Sequence, residues 1–216
     1  MANQNKISFY ALLSCIGGFT DASSFILLKT FTGHLTGNSI LSLIYLTTFN
    51  WSMLNTTLVS ILGFLLGTIF GYKFRLKNED QKSQTYILLF ILCIITLVFS
   101  IYFLFNEVDN NYMLIIAISL SMGIQNGNFS NFNNTGIHTT YITGMSTNLI
   151  GALLKSPQCN NEKKTYLCLI ASFILGGVLG SILSINFGYV GFSFVIVIII
   201  IITAILFSFH LQKNHN

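Results

Sequence analysis

Leu35-Thr-Gly-Asn-Ser39 returns as Ile142-Thr-Gly-Met-Ser146, 107 residues further on, and this echo decides how the chain is read. Upstream of it, Gly18-Phe-Thr-Asp-Ala22 pairs with Gly123-Ile-Gln-Asn-Gly127 at an offset of 105. Downstream, Phe64-Leu-Leu-Gly-Thr-Ile-Phe-Gly71 pairs with Phe173-Ile-Leu-Gly-Gly-Val-Leu-Gly180 at 109. Three blocks in one order at a nearly constant offset mark an internal duplication. Each half then holds four elements: a helix interrupted by polar residues, a short Thr-Gly-led segment (36–48 and 143–154), a helix with small residues at every fourth position, and a plain apolar helix.

The setting for these elements is a membrane. Of 216 residues 53% are hydrophobic, 7% are charged and one is proline, with mean hydropathy +0.72. So little polar surface cannot coat a soluble globule of this size. Stretches 7–28, 53–74, 85–105, 165–185 and 189–210 each reach the ~20 residues that cross the hydrocarbon. The expectation is one membrane domain over 1–216, all-α, a polytopic transmembrane helical bundle whose repeat halves are 7–105 and 112–210. Met1 to Ser8 lacks the charged region and cleavage site of a signal peptide, so the first helix is expected to be retained. Cys15, Cys93, Cys159 and Cys168 form no C-x-x-C pair, which argues against a disulfide framework or metal cluster. The net charge of +4 resides mostly in loop lysines and reads as topology determination, not nucleic-acid binding.

Loop charge also orients the halves. Lys73, Arg75, Lys77 and Lys82 mark one connection as cytoplasmic, Lys155, Lys163 and Lys164 mark another, and 106–111 carries only acids. Both basic connections face the cytoplasm, with both termini, only if the two short segments stop short of crossing. Three crossings per half is odd, so the halves are expected to be inverted, a 3+3 repeat with broken or re-entrant Thr-Gly-led helices, a recurrent build of transporters and some channels.

Within this frame Asp21 is the only acid inside a lipid-length apolar segment; Glu79, Asp80, Glu107, Asp109 and Glu162 all fall in polar connections. A carboxylate at the bilayer centre costs roughly 2.5–3.5 kcal/mol on insertion scales. It must be protonated, paired, or turned toward water or a solute. Thr20 stands beside it. Thr36 and Asn38 are residue types that cap helix starts, and with Gly37 they offer free backbone N–H groups to a solute, as Thr143 and Gly144 do in the second half. The alternative is that Gly33, Gly37 and Gly144 merely allow tight helix contacts. The counterpart of Asp21 is neutral Asn126, flanked by Gln125, which suits hydrogen bonding to a polar solute. His34 and His138 occupy similar places in the two halves; each is either a proton relay or a hydrogen-bonded interfacial residue. Gly63, Gly67 and Gly71, like Ser172, Gly176 and Gly180, line one helical face and read as packing surfaces, the contact between halves. Trp51 fits an outer-interface anchor.

Gly18-Phe-Thr-Asp-Ala22 followed by Phe31-Thr-Gly-His-Leu-Thr-Gly-Asn38 resembles the YoaK-like family of small bacterial multi-pass inner-membrane proteins of unknown function. The likeness continues through Gly123-Ile-Gln-Asn126 and Thr139-Thr-x-x-Thr-Gly144. It implies about six spans and a bacterial inner-membrane location, and says little of substrate. Two positions depart from the family pattern: Gly127 stands where alanine is common, and Asn148 where many relatives carry an acid, so a model requiring paired acids does not suit this chain.

The functional expectation is a membrane transporter or facilitator of a small polar solute or ion, with a midplane site between the repeats and no cofactor, metal or nucleic-acid partner. A channel, a non-transporting scaffold and a membrane-embedded enzyme are the alternatives. The enzyme is the weakest, because embedded acid–base candidates are confined to Asp21, His34, His138 and scattered hydroxyls. The lipid bilayer is the expected partner, and self-association into a homo-oligomer stays open.

Overall fold

A computed structural model describes residues 2–77, 81–105, 111–132, 135–136, 139–154 and 160–214. Among these residues lie eight helices: α1 (Ala2–Leu28), α2 (Leu35–Thr47), α3 (Trp51–Lys77), α4 (Gln81–Phe105), α5 (Tyr112–Asn128), α6 (Ile142–Leu154), α7 (Asn160–Ser193) and α8 (Val195–Asn214). Between α5 and α6, β1 (Asn131–Phe132) and β2 (Thr135–Gly136) form a two-residue antiparallel ladder. The fold is helical, as expected. Ile7–Leu28, Trp51–Lys77, Ser83–Leu104 and Glu162–Ser193 are each long and apolar enough to cross a bilayer.

The stretches 165–185 and 189–210, expected as separate spans, meet at Gly188, where φ is 59° and ψ −135°. Glycine alone takes such a conformation without penalty. Beyond it, Gly191 comes back against Leu183, so close that a Cβ at 191 would strike the Leu183 carbonyl. The chain therefore reverses at Gly188 and not after Ser193.

The two most extensive helix interfaces are α1 with α7 and α3 with α5. Each joins the first helix of one half to the third helix of the other. Along α1, Cys15 meets Gly176 and Phe19 meets Gly180; along α3, Gly67 meets Leu120 and Gly71 meets Ile124. Numbers rise together in both pairs, so both interfaces are parallel. A Cβ at Gly18 would fall on the carbonyl of Phe173, and a Cβ at Gly123 on that of Phe64. Gly67 against Leu120 is matched in the same way by Gly176 against Cys15. Every one of these contacts maps onto its counterpart through the sequence repeat. The small-residue rows thus do what their spacing implies: they let backbones touch across the two halves.

The first helices of the two halves also meet. Phe9 packs edge-on to Phe129 with ring centroids 5.4 Å apart, and Gln125 Nε2 donates to the Leu13 carbonyl at 2.9 Å. Numbers fall along α5 as they rise along α1, so these two helices are antiparallel. Leu13, Ile16, Phe19, Ile95, Ile118 and Met122 are sealed inside, whereas Leu43, Leu62, Leu66, Ile69, Leu97 and Ile182 stand on the outer surface. An apolar exterior around a core rich in hydroxyls and glycine is the distribution a lipid solvent selects. Arg75, near the end of α3, donates to Ser130 just past α5 and lies 4.7 Å over the Tyr72 ring.

Candidate functional site

Helix α1 ends at Lys29, a non-glycine residue with φ 55°, whose amide closes on the Phe25 carbonyl. The chain then doubles back along α1. Thr32 and Gly33 donate their backbone N–H groups to Asp21 Oδ1 at 3.1 and 2.7 Å, and Thr32 Oγ1 donates to Ser24 Oγ at 3.3 Å. Asp21 lies seven residues before the end of α1, about 10 Å back along the axis at ~1.5 Å per residue. Helix α2, beginning at Leu35 beside it, therefore starts at that depth. With 13 residues it spans only about 20 Å, short of a hydrocarbon core of ~30 Å.

Asn38 holds this turn. Its Nδ2 donates to the Phe31 carbonyl at 2.6 Å and to Ser60 Oγ at 3.0 Å, while its Oδ1 accepts from Phe31 N at 2.9 Å and Thr30 Oγ1 at 3.0 Å. Both donors and both acceptor positions of the amide are occupied. Asn38 is thus a clamp on the loop and not a ligand in waiting. Its neighbour Ser60 meets Ser119 Oγ at 2.8 Å, tying the turn to α5. The helix start also differs from the expected one: His34 occupies the cap position, without a side-chain bond, and Thr36 and Asn38 lie in the first turn. Thr36 points outward, as does Thr143 of α6, which likewise begins one residue before its Thr-Gly pair, at Ile142. A Cβ at Gly37 would come 2.9 Å from the Phe31 ring, so this glycine serves packing. Gly144 is half-buried in the first turn of α6.

The carboxylate is only half satisfied. Asp21 is 5% exposed, and its Oδ2 is buried with no hydrogen-bond partner. Among the described residues the basic group near it is His34, whose Nδ1 stands 4.0 Å away, beyond hydrogen-bond reach. His34 is half-buried, and burial holds its imidazole below the usual histidine range, which favours the neutral ring. Beside Asp21, the Thr20 hydroxyl is wholly buried and also lacks a partner.

The second half repeats the design with neutral chemistry. Thr140 Oγ1 donates to Asn126 Oδ1 at 3.2 Å, and Gln125 Nε2 donates to Thr139 Oγ1 at 3.1 Å. Thr139 and Thr140 are the repeat counterparts of Thr32 and Gly33. This second loop abuts α1 at Gly17, where a Cβ would strike the Thr139 carbonyl and come 3.2 Å from the Thr140 Cα. Gly17 and Asp21 lie one turn apart on the same face of α1. Both helix breaks therefore press on one stripe of one helix. His138 lies outside the described residues, as do Glu79, Asp80, Glu107 and Asp109.

Sequence reasoning brought out Asp21, His34, Gln125 and Asn126, and gave no site role to Ser24, Ser60 or Thr32, nor, beyond quoting them in a motif, to Thr139 and Thr140. The last two could have been found by carrying the 107-residue offset from Thr32 and Gly33. Among the described residues no group of three or more His, Cys, Asp or Glu side chains is placed to hold a metal ion.

A helical protein of membrane character, with an acid buried at a helix break and a neutral copy of that break in its second half, is the class these features define. The chain belongs to the family described as protein of unknown function DUF1275, whose model matches residues 9–207, in keeping with the YoaK-like resemblance. No curated protein matches the chain. No solved structure matches it.

Proposed function

We propose that this protein is a membrane transporter or facilitator of a small polar solute or ion, and not an enzyme. Its site lies where the two interrupted halves meet on α1. One observation carries the reading: inside a lipid-length helix, Asp21 keeps one oxygen bound to the Thr32 and Gly33 amides and the other bare. Burying an unpaired polar atom is costly, and in membrane helices ionisable residues are retained chiefly where ions or solutes pass.

The architecture that goes with this function is an inverted 3+3 repeat in which α2 and α6 stop inside the bilayer. The antiparallel run of α1 and α5 supports it, as does the shortness of α2 and α6. In that arrangement both termini and both basic connections face the cytoplasm of a bacterial cell.

The reading is tested in two steps. Purified protein is first screened by thermal shift against ions and small polar metabolites, since a ligand that binds only the folded form raises the melting temperature. Uptake of the ligand so found is then measured in proteoliposomes for wild type and Asp21→Asn. Loss of uptake in a variant that still inserts and folds supports the proposal; undiminished uptake refutes the role of Asp21.

A further inference from the structure

We propose that Asp21 and His34 form a two-station proton site, with Asp21 Oδ2 as the inner station and His34 Nδ1 as the station between it and the protein surface. The inference deepens the transport reading by naming the coupling ion, and its use in transport rests on that reading.

Three observations carry it. The first is the bare Oδ2, buried without a partner, while Oδ1 is saturated by two amide donors. A ligand for Oδ2 must donate a hydrogen bond or carry positive charge. The second is what surrounds it. A hard metal cation needs about six oxygen ligands, yet among the described residues no group of three or more His, Cys, Asp or Glu side chains is placed to hold one, the basic group within 4.0 Å of Asp21 is the nitrogen donor His34, and Gly33 presents an N–H to the carboxylate. A proton needs a single oxygen. The third is the position of His34, whose side chain is 35% exposed while that of Asp21 is 7% exposed. A ring with one nitrogen near the acid and part of its surface outside the protein can exchange a proton with the acid and with water that reaches that surface.

Among the described residues, the other charged side chains on the elements around the pair lie away from it. Lys29, on the same turn, spends its ammonium on the Ile26 carbonyl at 3.0 Å. On α7, which packs along α1, Tyr189 accepts from Asn111 at the far turn, and Glu162, Lys163, Lys164 and Tyr166 lie in the first two turns. On α5 and on the described side chains of α8 no charged residue is present, and Tyr112 of α5 stands at its opposite end from Gln125.

In the step proposed, the 4.0 Å gap closes by rotation of the His34 side chain or is bridged by a water, and protonated His34 then gives its Nδ1 proton to the ionised Asp21, leaving a neutral imidazole and a neutral carboxylic acid. The reverse transfer returns the proton outward. No bond other than N–H and O–H changes, and charge is conserved across the pair.

The test is infrared difference spectroscopy of the full-length protein in lipid nanodiscs between high and low pH, with no solute present. A carboxylic C=O component due to Asp21, over the bands of the chain's other acids, is expected in wild type, to be lost from the difference spectrum in Asp21→Asn, and to shift its titration midpoint in His34→Gln. Asp21→Glu, which keeps an acceptor for the loop amides, should retain the band if the asparagine variant folds poorly. A difference spectrum unchanged in Asp21→Asn, a midpoint that ignores His34→Gln, or one set by sodium overturns the proposal. The measurement needs no transport, so a chain that binds protons here yet moves no solute would fail the transport reading alone.

Discussion

The amide of Gly33 lies 2.7 Å from Oδ1 of Asp21, twelve residues earlier, so a helix carboxylate is bound by the loop that follows its own helix. That bond, with the one from Thr32, sets the depth at which α2 begins. It also gives Asp21 a structural role beside the chemical one proposed for it, and the two respond differently to substitution.

Asn at position 21 keeps an oxygen for the two amides, whereas Ala leaves both orphaned. An unmade buried hydrogen bond costs about 1–3 kcal/mol. Asp21→Ala should therefore be less stable than Asp21→Asn by roughly 2 kcal/mol or more in reversible unfolding in mixed detergent. Equal stabilities would mean that the loop is held elsewhere.

The clamp at Asn38 makes a complementary case. Asn38→Ala leaves Phe31 N without its acceptor, takes from Thr30 Oγ1 the shorter of its two hydrogen bonds, and should cost on the order of 3 kcal/mol. Asn38→Asp, which can accept but not donate to the Phe31 carbonyl, should also lose stability. A variant with wild-type melting behaviour would remove Asn38 from the clamp.

Glycine contacts offer the sharpest contrast. Gly123→Val forces α5 off the Phe64 carbonyl and should cost about 3 kcal/mol or more, at the upper end of overpacking penalties. Gly151 in α6 meets nothing within 4 Å; Gly151→Ala should be neutral or gain up to about 1 kcal/mol from helix propensity. Thermal unfolding of the two variants side by side checks the ordering.

His34 gives a pH signature of known sign. Its folded-state pKa lies below the usual value because burial penalises the charged ring. Between the two values the unfolded chain binds more protons than the native one, so this group's contribution is complete above ~6.5 and is lost as pH falls. The melting temperature of wild type should therefore drop more steeply below neutrality than that of His34→Gln. Parallel curves would show that His34 titrates alike in both states.

Topology can be read by cysteine labelling in a background stripped of native thiols. In the proposed inverted arrangement, cysteines at Lys77 and Lys163 react from the cytoplasmic side and one at Asn50 from the opposite side. If every helix crossed, Lys77 and Lys163 would label from opposite sides, and the 3+3 reading would fall.

Much of this fold is visible in the residues. Apolar length marks the spans, and the rows Gly63-Gly67-Gly71 and Ser172-Gly176-Gly180 announce the faces that touch, because a missing Cβ is written in the sequence. The partners of the site are not. Asp21 is bound by main-chain amides, which every residue but proline carries, and Gln125 reaches a main-chain carbonyl 112 residues away. The reversal after α1 falls at Lys29, a residue type that does not advertise a positive φ. Asn38 looks like a helix cap by type, yet its amide serves the preceding loop, since the helix opens earlier at His34.

The parallel pairing of α1 with α7 has a cost in time. Ser14 donates to the carbonyl of Leu169, which is 155 residues later, and at synthesis rates of ~5–20 residues per second that partner arrives roughly 8–30 seconds after it. Throughout that interval the nascent amino-terminal portion sits in the translocation apparatus or in lipid with its glycine seam unfilled. A ribosome that stalls before α7 leaves α1 without the helix that its Gly18 seam fits.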